Sequence, residues 1–176
     1  MFKLKKFYSI IICFFLFSTN SFSDNKIAYI DIDMILSQSE PSKLLFSQLK
    51  KIEEKKLKKL KNDEINLKEE ENKILSTKNI ISNEEYNKSV SNFKNKLNKY
   101  KKTKNKVIQD LKQKRNNEVL RFFKLINPLI EKVMDEKSIK IIIEKKNIFI
   151  AKSNYDITPT VIEKINENIK EFLIEE

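Results

Sequence analysis

Between Tyr86 and Lys124 the chain carries 13 basic side chains against two acids, Asp110 and Glu118. Lys94, Lys101, Lys102 and Lys106 stand in the middle of this run. Its chemistry is electrostatic: a one-sided field of this kind draws acidic chains or anionic headgroups without breaking a bond. Residues 43–73 are more balanced, with ten Lys facing seven acids. Those carboxylates sit among lysines on a polar helix surface rather than in the apolar surroundings that tune an acid/base pair. The missing residue types narrow the field further. There is no Gly to build a phosphate-cradling loop, and no His to act as base or metal ligand. Cys13 is the single cysteine and lies in the leader, so the rest of the chain has neither thiol nor disulfide. No cofactor, no metal and no enzymatic activity are expected. The function is one of binding, and the side chains suited to it are the lysines just named and five apolar residues that fall outside any helix seam: Leu57, Ile65, Ile80, Ile81 and Ile108.

Two long helices must position these residues. From Lys43 to about Leu75, Leu45, Leu49 and Ile52 are spaced four then three apart, and Leu60, Leu67 and Ile74 recur every seven. The phase slips by one residue between Ile52 and Leu60, which predicts a coiled-coil-like seam with one irregularity. Ser76 to Ile81 breaks the pattern, and Ser82 with Glu85 has capping-box spacing. The second helix, over residues 83–136, has the clearest period: Tyr86, Val90, Phe93, Leu97, Tyr100, Val107 and Leu111, with Lys104 in one seam position. The seam loses its apolar residues around Lys114 and Arg115 and resumes as Val119, Phe122, Ile126, Leu129 and Val133. Asn127-Pro128 predicts a kink. Two such helices joined by a short break form an antiparallel hairpin.

The ends of the chain read differently. Lys26 to Asp33 predicts a short strand through Ile27 and Tyr29, and Ser39 or Ser42 is expected to cap the helix that follows, with Pro41 in its first turn. Near the other end, the β-branched run Ile139 to Ile143 and the return Ile148-Phe149-Ile150-Ala151 predict a β-hairpin, its turn longer than two residues for want of Gly. Thr158 is expected to cap a last helix with Pro159 at its first position. The fold class is therefore α+β, mostly α: a helical-hairpin arm at 43–136 inserted in a small β/α body of three strands, built from 24–42 and 137–176. Ile27, Tyr29, Ile141, Ile143, Ile148 and Ile150 are expected in the body core or in contacts between subunits. So thin a core needs support, and self-association is expected to supply it.

Residues 1–23 have the layout of a cleavable signal peptide. Lys3, Lys5 and Lys6 open it, an apolar run of Phe7 to Phe17 broken only by Ser9 follows, and Ser21-Phe22-Ser23 places small residues at a cleavage site before Asp24. That apolar run falls well short of the roughly 20 residues that span a bilayer. Export would leave the protein in a compartment without ATP.

The arrangement resembles the Skp/OmpH family of periplasmic chaperones. Lys26-Ile27-Ala28-Tyr29-Ile30-Asp31 is similar to the family's first strand. Ile139 to Ile143, Ile148-Phe149-Ile150-Ala151 and Asp156-Ile157-Thr158 are similar to its tail, with a Lys-rich hairpin of the right length between them. The resemblance implies a homotrimer whose strands form a central body and whose arms surround a cavity. Unfolded outer-membrane β-barrel proteins are held there without ATP and delivered towards the outer membrane, and no catalytic residue comes with it. Anionic membrane lipid or lipopolysaccharide is a further expected partner of the basic arm. The chain departs from the family in lacking Gly and in having two Arg against 34 Lys, which matters for any contact that needs a bidentate guanidinium. Two other readings stand beside it: a structural coiled-coil spacer of the envelope, and a nucleic-acid binder suggested by a pI near 9.5. The latter lacks a recognition motif, and export separates it from any physiological nucleic acid.

Overall fold

In the computed structural model, residues 26–174 are described, and the expected signal peptide lies outside them. β1 (Lys26–Ile30) leads through Asp31 into α1 (Ile32–Gln38), α2 (Glu40–Thr77) and α3 (Asn83–Glu136). β2 (Ile139–Glu144) and α4 (Thr158–Asn168) complete the order. α2 has 38 residues and α3 has 54, so α3 alone reaches about 80 Å. Lys, Glu, Leu and Asn fill both helices, no Gly interrupts them, and Pro128 lies inside α3 without ending it. The turn between them closes as the sequence predicts. Ser82 Oγ accepts from the Glu85 N–H at 3.3 Å, and Glu85 Oε2 accepts from the Ser82 N–H at 3.3 Å.

The start of α2 is capped from elsewhere. Ser39 holds the cap position, but its hydroxyl is buried without a hydrogen-bond partner. Ser42 Oγ instead donates to the Leu36 carbonyl. The N–H of Glu40 is satisfied by Asn166 Oδ1 of α4 at 2.8 Å, so a side chain 126 residues away performs the capping. Thr158 likewise does not cap α4. It is the helix's first residue, fully buried, and its Oγ1 accepts from the Asp31 N–H at 2.9 Å, while Asp156 Oδ1 accepts from the Thr158 N–H.

β1 and β2 pair in parallel, with Ile27 opposite Ile141, Tyr29 opposite Ile143 and Ile30 opposite Glu144. Parallel strands need a crossover connection, and here the whole helical hairpin is that crossover. The expected third strand is a correction. Among the described residues the sheet has two strands, and Ile148 to Ala151 joins neither. A two-residue hairpin needs positive φ at its turn. Without Gly, the chain leaves β2 through a 3₁₀ turn at Lys145–Asn147 and moves away instead of returning. Where α3 meets β2 the same shortage shows again: Ser138 takes φ 56°, a left-handed conformation that glycine would adopt more cheaply.

One layer of side chains ties both ends of the chain to the base of the hairpin. Ile35, Leu45, Phe122, Ile126, Val133, Val161 and Ile165 are fully buried, joined by Ala28, Ile30 and Ile139 from the sheet's inner face. Asp31 is the hub at one edge. Its Oδ1 accepts from the Met34 N–H at 3.0 Å, capping α1, and its Oδ2 meets Lys145 Nζ at 2.8 Å. That lysine, followed by the Met34 N–H, holds the Asp31 carboxyl below its ordinary range.

Candidate functional site

The seam side chains meet as their spacing requires. Leu60 is buried, and Leu67, Ile74, Phe93, Leu97, Tyr100 and Val107 are half-buried between the two helices. Two polar ties cross the hairpin: Lys96 Nζ to Glu70 at 2.6 Å, and the Tyr100 hydroxyl to Glu64 at 3.5 Å. Burial, then the Glu64 charge, raises the Tyr100 phenol above its ordinary value, so it stays a neutral donor.

The apolar residues outside the seam separate into places. Leu57 and Ile108 come together across the hairpin near its root. With Leu49, Ile52 and Leu111 they line an open groove of about 290 Å³, which Glu53, Lys112, Lys114 and Arg115 complete. Ile65 is exposed along the arm, Ile80 is 80 % exposed at its tip, and Ile81 beside it is half-buried. Of the four lysines, Lys94 and Lys101 recur at seven-residue spacing with Ile108 and Arg115, so they lie on the groove's flank of α3. Lys102 and Lys106 are also exposed, but helical geometry puts them on the side turned away from α2.

The groove is the structural result of two irregularities in the sequence: the phase slip between Ile52 and Leu60, and the loss of apolar seam residues at Lys114 and Arg115. Where the stripes fall out of register the helices cannot interdigitate, and their apolar sides are left open. Lys112, Lys114 and Arg115 are the site residues that sequence reasoning missed, and the broken period was the signal for them. Arg115 is anchored over the Phe46 ring at 5.1 Å from its centroid.

A second apolar surface lies on the body. Ile27, Ile141 and Ile143 point from the outer face of the sheet and are exposed, while Phe149 is fully exposed and Ile150 is 84 % exposed. Ile148 is half-buried. Tyr29 belongs to the body itself: its carbonyl accepts from the Ile157 N–H at 3.1 Å, and the ring is largely covered. Among the described residues no cluster of carboxylates is placed to hold a metal ion, and no helix is long and apolar enough to cross a membrane.

The described residues form a parallel two-stranded body with a helical hairpin as its crossover and an open groove at the root of that arm. The sequence matches the family described as Outer membrane protein (OmpH-like) over residues 26–165, and the chain belongs to that family. Its fold is similar to a crystal structure from Caulobacter crescentus CB15, described as "a putative outer membrane chaperone (OmpH-like)". The two share 15 % identity with a TM-score of 0.78, covering 85 % of this chain and 89 % of that one. No curated protein matches the chain.

Proposed function

We propose that the protein is an ATP-independent, non-catalytic holdase of the periplasm. It binds unfolded outer-membrane β-barrel proteins between its arms, prevents their aggregation and assists their delivery to the outer membrane. One observation carries this reading. Leu57, Ile65, Ile80 and Ile108 are exposed along the hairpin, and they are set among lysines from root to tip. Weak, scattered and adaptable contacts of this kind suit a changing set of unfolded chains better than one deep pocket does. The lysines supply attraction towards acidic segments, and towards anionic lipid or lipopolysaccharide at the membrane.

The arms become a cage only in an assembly, and the body offers the surface for one. A homotrimer would cover Phe149 and Ile150 with neighbouring copies, and Ile148 to Ala151 would find in another subunit the strand partner it lacks in its own.

The deciding experiment dilutes a urea-unfolded porin into buffer containing the purified protein, with light scattering and complex mass recorded together and no nucleotide added. Suppressed scattering and a soluble complex of three copies with one porin are expected. Unchanged aggregation beside a stable free oligomer would overturn the holdase reading in favour of an envelope spacer.

A further inference from the structure

Beyond Asn168 the chain leaves α4 and crosses the root of the arm without regular secondary structure. This tail is held by its main chain and by its apolar side chains together: Ile169 and Phe172 are buried in the core, and Ile174 packs against it. Gln48 of α2 uses both ends of its amide: Nε2 donates to the Phe172 carbonyl at 2.6 Å, and Oε1 accepts from the Ile174 N–H at 3.1 Å. Arg121 of α3 donates to the Leu173 carbonyl and lies over the Phe172 ring, 4.4 Å from its centroid. Phe122 meets that ring edge to face at 5.7 Å. Three of these contacts touch backbone atoms that any extended peptide carries. The side-chain part of the contact is apolar, with the Phe172 ring at its centre, while Leu173 remains 69 % exposed.

We infer that the seat made by Gln48, Arg121 and Phe122 is a binding site for an extended peptide segment with an aromatic residue, and that the chain's own tail is its resting occupant. The seat adjoins the arm-root groove, since Gln48 precedes Leu49 and Arg121 stands less than two turns from Arg115. A segment gripped at the seat can therefore continue into the groove. A tethered tail competes at an effective concentration on the order of millimolar. Free peptide at micromolar concentration does not displace it, whereas a chain confined between the arms reaches a comparable local concentration. Use of the seat by clients rests on the chaperone reading; the seat itself does not.

The test titrates a fluorescein-labelled peptide of residues 168–174 into the full chain and into a Phe172→Ala full chain, which weakens the occupant and keeps Gln48, Arg121 and Phe122 in place in the sequence. The variant is expected to bind the peptide roughly tenfold more tightly than the unmodified chain, as competition from the tethered tail is relieved. Adding Gln48→Ala to the variant should remove that gain. Hydrogen exchange at the Ile174 N–H of the unmodified chain gives a second reading, and it decides alone if Phe172→Ala does not fold. Exchange there should accelerate with unlabelled peptide at millimolar concentration, and not with the same peptide lacking its phenylalanine. A folded Phe172→Ala chain that binds no better, or exchange at Ile174 that millimolar peptide leaves unchanged, overturns the proposal. Porin aggregation is read separately, so a failed titration leaves the holdase reading standing.

Discussion

Replacing Phe149 with alanine should dissociate the assembly while leaving each chain folded. The side chain is fully exposed within its own chain, and none of its atoms supports the core. In the proposed trimer its contribution would lie between copies. Burying a Phe side chain is worth about 1.5–3 kcal/mol, and alanine forfeits most of that. With one Phe149 contributed by each copy of the proposed trimer, a loss of about 1–2 kcal/mol apiece costs the trimer roughly 3–6 kcal/mol. The concentration at which a trimer half-dissociates scales with the square root of its dissociation constant. The midpoint should therefore rise by a factor of roughly 10 to 100. Sedimentation equilibrium over nanomolar to micromolar protein reads this directly, with circular dichroism as the control for folding. An unchanged midpoint in a folded variant would refute the reasoning and move the interface away from the Ile148 to Ala151 segment.

Other expectations follow from the same contacts. Ser138→Gly should stabilise the chain by about 0.5–1 kcal/mol in urea titration, because glycine relieves the left-handed strain at φ 56°. Asp31→Ala should cost about 1–2 kcal/mol, chiefly through the lost cap on α1, whereas Asp31→Asn keeps the cap and should cost less than about 1 kcal/mol. Because the folded carboxyl is held below its unfolded value, its contribution is complete above about pH 4 and fades as the pH falls through the lowered value. Denaturant midpoints of the unmodified chain and of Asp31→Asn should accordingly converge only in strong acid. Glu at both Leu57 and Ile108 should weaken the suppression of porin aggregation at unchanged helicity, since both residues face the open groove. A variant that protects as well as the original would remove the arm-root groove from client binding.

The long elements were legible because their information is local. The steps of three and four from Tyr86 to Leu111, the Ser82–Glu85 box and the Ile27–Ile30 run each specify a piece of structure from neighbours in sequence. What escaped depends on distant partners. Asn166 caps α2, and Thr158 bonds Asp31 rather than its own helix, through contacts spanning 126 and 127 residues. The run Ile148 to Ala151 has strand composition, yet a strand exists only where a ladder partner lies within reach, and none pairs with it among the described residues. The candidate site was half legible for the same reason. Leu57 and Ile108 stand out as apolar residues off the seam, but their meeting across two helices, and the basic residues beside them, follow from a mismatch between two periods.

The parallel pairing of β1 with β2 also fixes the order in which the molecule can mature. Asp31 and Lys145, which lock the sheet's edge, are 114 residues apart. The hairpin consists of neighbours in sequence and can zip locally on the microsecond scale of helix formation. β1 emerges early and must wait for nearly the whole chain before its partner exists. Until then its Ile27 to Ile30 segment is an unpaired, aggregation-prone strand. A nascent copy thus presents the same hazard as the chains it is proposed to guard.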